Sequence, residues 1–207
     1  MIFLEKIHSL LNTYESHSCG RRDNAFLYGI CNPSPPLATH IVFAPMPKEV
    51  QQNLISAYKR SIPTDLLTLY STMNGADLFW SVRTVGKKNR RIPYSYLSIY
   101  GVPLTWDRKH IEPFNICIED LNRPRGTPNS WLKFGAYCRP ENTTQRLDLF
   151  VDTETNDVFA VEHDCVECCV AETWDSIDTC LCSVLALLRG HGDGYPVSSR
   201  NDPTVPK

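Results

Sequence analysis

The sequence predicts an α+β domain: N-terminal helices, a mainly antiparallel, twisted sheet of about five to six strands, and a C-terminal helix packed on it. Helical apolar periodicity marks the two ends of the chain, from Ile2 to Tyr14 and from Pro47 to Met73 at one end and from Trp174 to Leu188 at the other. Between them, short aromatic and β-branched runs follow one another with no helix interposed, which argues against a doubly wound parallel sheet. The length, 207 residues, suits one domain and is short for two.

The first helix carries Ile2, Phe3, Ile7, Leu10, Leu11 and Tyr14 on one stripe, with Glu5, Lys6 and Ser9 between them. Pro33, Pro35 and Pro36 then make "CNPSPPLATH" extended. Pro47 opens a second helix with Val50, Leu54, Ile55 and Tyr58 inward, and Pro63 opens a third, since proline's missing N–H costs nothing in a first turn. That third helix runs into Asn74-Gly75. The pair is a strong hairpin signal in isolation. Here Leu66, Leu67, Leu69, Tyr70 and Met73 precede it at helical spacing, so it is expected to stop the helix, with one residue in the left-handed conformation of a C-cap. The chain should enter its first strand at Leu78-Phe79. "SYLSIYGV", "WLKFGAY", "LDLFVDT" and "DVFAV" read as further strands, the last two joined by a loop at Glu154–Asp157. Thr173 is the expected N-cap of the final helix, Asp175 suits the positive end of its dipole, and Gly190 ends it. The domain is therefore 1–190, and the polar segment 191–207 reads as a mobile tail.

Composition narrows the function classes. A net charge of −2 argues against a generic nucleic-acid binder, and no apolar run reaches the length of a membrane span or resembles a signal peptide. Nine cysteines, an odd number, read as reduced thiols in a cytoplasmic protein. "RTVGKKNRR", followed by Tyr94 and Tyr96, has the ingredients of a single-strand binding loop but reads more simply as a solvated turn between strands.

"HDCVECC", with His163, Cys165, Cys168 and Cys169, offers one two-residue cysteine gap and no second, so it falls short of a closed zinc site. A Cys–His nucleophile there would need an orienting group and an oxyanion site, and neither is visible. No phosphate-binding loop, serine nucleophile elbow or zinc-protease motif occurs. These motifs single out no catalytic, metal or cofactor residue. From Glu141 to Leu188, by contrast, eleven acids face a single base, Arg146, for a local charge of −10. Such a run reads either as a solvated face or as a surface for a basic protein partner, and in the second reading Asp152, Glu154, Asp157, Glu162, Asp164 and Glu167 form the face.

Taken in order, "IPTDLLTLYSTMNGADLF", "GVPL", "WLKFGAY", "LFVDTETNDVFAV" and "TWDSIDTCL" resemble the SUKH superfamily over roughly residues 45 to 188. The matching positions are Pro63, Asn74, Gly75, Phe79, Phe134, Gly135, Asp152 and Trp174. The long segment 80–130, the cysteine cluster and the extra N-terminal helix depart from the pattern. The resemblance implies a non-enzymatic binding domain: an immunity protein that neutralises a polymorphic nuclease or deaminase toxin, or a regulator of the fungal cell-wall type. A zinc- or cysteine-dependent protein using 163–169 is a third expectation. The signature residues should serve the fold, with Asn74-Gly75 a cap, Phe134 and Trp174 core, and Asp152 ending a strand by bonding loop amides.

Overall fold

The computed structural model describes residues 1–14, 16–18, 24–29, 32–33, 36–37, 39–58, 61–85, 90–104, 113, 115–116, 123–163 and 165–190. Its helices are α1 (Ile2–Leu11), α2 (Lys48–Ala57), α3 (Thr64–Thr72) and α4 (Ile177–Gly190). The strands are β1 (Ser16–Ser18), β2 (Ala25–Tyr28), β3 (Asn32–Pro33), β4 (Pro36–Leu37), β5 (His40–Phe43), β6 (Ala76–Val85), β7 (Arg90–Ile99), β8 (Trp131–Arg139), β9 (Asn142–Asp152), β10 (Val158–Glu162) and β11 (Val170–Trp174). The α+β class is as expected. The main sheet is larger than expected, with nine antiparallel strands in the order β1-β2-β5-β6-β7-β8-β9-β10-β11, and β3-β4 forms a separate small hairpin. The tail 191–207 lies outside the described residues.

Alternation along the strands divides the sheet into two faces. Leu147, Leu149 and Val151 of β9, with Val158 and Ala160 of β10, point to the helices and join one core with Phe3, Ile7, Leu66, Leu69, Leu181 and Leu188. Phe150 and Val161 point the other way and pack with Trp131 in a second, small cluster. Among the described residues, β5 pairs with β6 through Ala76–Leu78, and β8 pairs with β7 through Leu97–Ile99. Among the same residues, the outer halves of β6 and β7 pair with each other, Trp80–Val85 with Arg90–Ser95, and residues 86–89 of the basic stretch lie outside those described. Tyr96, next along β7, is buried in the core rather than presented for stacking.

Asn74-Gly75 lies just beyond the helix it was expected to cap. Met73 is the C-cap residue, in extended conformation. Gly75 has the positive φ expected of the pair, +93°. Asn74 is buried and clamps the chain beyond β7: its amide donates to the Val102 carbonyl and its Oδ1 accepts the Val102 N–H, both at 2.8 Å. Pro63 opens α3 as expected, its carbonyl accepting the Leu66 and Leu67 N–H groups.

The C-terminal helix corrects two expectations. Trp174 ends strand β11 and is half-buried against the core, and α4 starts at Ile177. Its N-cap side chain is Ser176, not Thr173, with Oγ accepting the Thr179 N–H at 3.1 Å. Asp178 in the first turn of α4 reaches the other end of the chain and accepts the Ile2 and Phe3 N–H groups at 3.0 and 2.9 Å. It supplies α1 with the cap that Met1 lacks.

Candidate functional site

Charged and polar groups gather on the sheet face away from the helices. The register aligns Asp77, Ser98, Ala136, Asp148 and Val161 across β6 to β10 in one row. Asp148 is almost fully buried and sits among three cationic or titratable groups. Lys133 Nζ lies 2.8 Å and His163 Nδ1 2.7 Å from its Oδ2, and Arg146 Nε lies 3.5 Å from its Oδ1. Arg146 also donates to the Tyr100 hydroxyl. Lys133 is itself buried, so each charge of the pair depends on the other for the solvation it has lost.

Asp77, at the end of the row, accepts from the Ser98 and Ser95 hydroxyls at 2.7 and 3.1 Å. Burial raises its pKa to about 6 against the opposing pull of Ser98, Ser95 and Arg146. On the neighbouring strand, His40 is fully buried between the rings of Tyr14 and Phe79, with both centroids 4.8 Å away. Its Nδ1 accepts the Phe79 N–H at 3.3 Å, and burial lowers its pKa to about 4. Phe79 adopts φ +56°, an uncommon conformation for a bulky residue.

The two groups act oppositely with pH. The stabilisation associated with neutral His40 is present above its unfolded pKa near 6.5 and is lost as pH falls toward 4. That associated with protonated Asp77 is present below 3.8 and is lost as pH rises through about 6. Between pH 6 and pH 4 they offset each other. Asp77→Asn removes the offset, so its melting temperature should fall more steeply with acidification than that of the parent chain. Parallel slopes in thermal melts across that window would refute the assignment.

The structure places His163, Cys165 and Cys168 of "HDCVECC" in separate environments; Asp164 is outside the described residues. His163 is oriented by Asp148, the partner that spacing alone did not reveal. The Cys165 thiol is engaged by Glu162. Cys168 packs against the Trp131–Phe150–Val161 cluster. Among the described residues, no group of three or more His, Cys, Asp or Glu is placed to hold a metal ion.

Of the expected acidic face, Asp152 ends β9, Glu154 and Asp157 sit in the β9–β10 loop, and Glu162 and Glu167 lie at the far end of β10, roughly 15 Å along the strand. Asp152 ends its strand as expected: its Oδ1 accepts the Glu154 N–H at 2.9 Å. Two other acids of the −10 region are neutralised internally, Asp148 as above and Glu172 by Arg139 and the Tyr137 hydroxyl. Phe134 is fully buried, and Gly135 is required where β7 crosses closely, since a Cβ there would stand 2.7 Å from the Ser98 carbonyl oxygen. No protein-family model, curated protein or solved structure matches the chain.

Sequence reasoning missed Lys133, Asp148, Asp77 and His40. A signal existed for the first two: each is a single charge flanked by apolar residues within a strand run, in "WLKFG" and "LDLFV".

Proposed function

We propose that the chain is a non-enzymatic protein-docking domain, an immunity-type protein that binds and occludes the basic cleft of a nuclease or deaminase toxin. The observation that supports this reading best is an exposed apolar pair in an acidic setting. Val166 is 78% and Val170 46% exposed, at the turn that leads into β11, the last strand of the sheet. Glu162 and Glu167 flank Val166 in the chain. Apolar anchors within a charged rim are the usual anatomy of a protein interface. The surrounding negative charge would steer a cationic partner into register. Asp152, Glu154 and Asp157, at the other end of β10, would add to the field more than to the contact. Lys133, Asp148 and His163 serve as a structural network in this reading, because no described thiol or hydroxyl is hydrogen-bonded to His163 as a nucleophile. Among the described residues, no helix is long and apolar enough to cross a membrane.

The test is affinity capture from a native lysate at low and moderate salt, followed by kinetics with the captured protein. A basic protein should be retained at low salt, and its nucleic-acid hydrolysis or deamination should be inhibited by added chain. Glu162→Lys with Glu167→Lys should lower the association rate about tenfold and flatten its salt dependence. Val166→Asp should accelerate dissociation. Equal retention by parent and variants would sink the proposal.

A further inference from the structure

The three cysteines of 165–169 are not equivalent. Cys168 is turned inward against Trp131 and Phe150, and its N–H donates to the Arg125 carbonyl at 2.8 Å. Cys165 is half-buried and Cys169 is exposed. The turn folds these two together around Glu162: the Glu162 N–H donates to the Cys169 carbonyl at 3.2 Å, and the Cys165 N–H to the Glu162 carbonyl at 3.4 Å. The Cys165 thiol donates to Glu162 Oε2 at 3.1 Å, and the Cys169 side chain is near enough to bear on its ionisation after Glu162. A thiol pair therefore sits at the surface with a carboxylate already holding one of its protons.

We propose that Cys165 and Cys169 are a reversible disulfide site, closed by hydroperoxides with Glu162 as the proton acceptor. In the first step the sulfur of exposed Cys169 attacks the peroxide O–O bond. One oxygen leaves as water and the other stays as the sulfenic acid. In the second, the Cys165 sulfur attacks that sulfur. The S–S bond forms, the S–O bond breaks, and the proton of Cys165 passes through Glu162 to the departing hydroxide, giving a second water. Two thiols lose two electrons and two protons, and one hydrogen peroxide becomes two waters. A dithiol reductant reverses the bond by thiol exchange.

The roles are not interchangeable. The hydrogen bond to Glu162, and then the contact with Cys169, push the Cys165 pKa up to about 12, so Cys165 is a poor thiolate toward peroxide. The same carboxylate suits it as the resolving thiol once Cys169 is oxidised. The site stands on the thiol geometry and not on the docking proposal. Closure would nonetheless constrain Val166 and Glu167, which lie between the two cysteines, and would free the Glu162 carboxylate of its thiol.

The test is to treat the reduced full-length chain with equimolar hydrogen peroxide, block remaining thiols by alkylation and map peptides by mass. A Cys165–Cys169 bond that dithiothreitol reopens is the expected product. Cys168→Ser should leave it intact. With peroxide in excess, Cys165→Ser should let Cys169 run on to sulfinic acid, and at equimolar peroxide Cys169→Ser should leave Cys165 as thiol. Glu162→Gln should slow closure about tenfold or more while leaving sulfenic acid formation at Cys169 unchanged. Thermal melts establish that each variant is folded. A bond made mainly through Cys168, no thiol loss at equimolar oxidant, or closure at the parent rate in Glu162→Gln would each overturn the proposal.

Discussion

Lys133→Met should lower the stability of the chain by about 3 kcal/mol, because it strips the closest cation from a carboxylate that cannot reach water. Lys133 Nζ and Asp148 Oδ2 are 2.8 Å apart, with side chains 9% and 4% exposed. Methionine keeps most of the lysine's volume, so packing is nearly conserved and the loss reports the charge. Arg146 and His163 remain near Asp148, which places the effect at the lower end of the range for a broken buried pair. In a chain of this length the melting temperature should drop by roughly 6–12 °C. Asp148→Asn in the same background should recover most of it, since the penalty lies in the orphaned charge and not in the missing lysine. A double variant no more stable than Lys133→Met would show that the pair is held by packing alone.

Gly75→Ala should be of similar size for a different reason. The backbone there has φ +93°, and a Cβ would stand 2.5 Å from the Ile99 carbonyl oxygen. Neither problem can be relieved by a side-chain rotation, because the obstacle is the backbone of the neighbouring strand. Strain at such a position costs at least about 2 kcal/mol. Ile99 pairs with Ala76 and with Gly135, so a shift at Gly75 propagates into the middle of the sheet. Urea unfolding should show a lower midpoint with an unchanged slope. A change in slope instead would mean that the substitution opens the native state locally.

Much of the architecture was legible, for reasons that also explain the failures. α2 and α3 carry an apolar stripe and a proline at the start, so both period and boundary are written in the chain. β8, β9 and β10 are long or apolar enough to stand out. β2 and β5 are four residues each, "AFLY" and "HIVF", set in polar, proline-rich chain, too short for any period to show. β11 is an edge strand with mostly exposed or half-buried residues, so it has no apolar signature, and Trp174 happens to fall in phase with the helix behind it. The candidate site was harder still. The acidity of 141–188 can be counted, but which acids are neutralised depends on cross-strand neighbours such as Lys133 for Asp148 and Arg139 for Glu172. Those pairings are matters of register, and register is set by the whole sheet.

The carboxylate of Asp178 on the first turn of α1 ties the beginning of the fold to its end. On a ribosome the two are made far apart in time. The sheet itself is a succession of neighbours, so hairpins from β6 onward can close as each strand emerges. The helical layer has no such order: α1 is made well before α4, whose Asp178 caps its amides and which packs in the same core. Throughout that interval Phe3, Ile7 and Leu10 are open to chaperones and to other nascent chains. Variants lacking α4 should therefore leave α1 uncapped and its stripe open, and should be more aggregation-prone than their small loss of length implies.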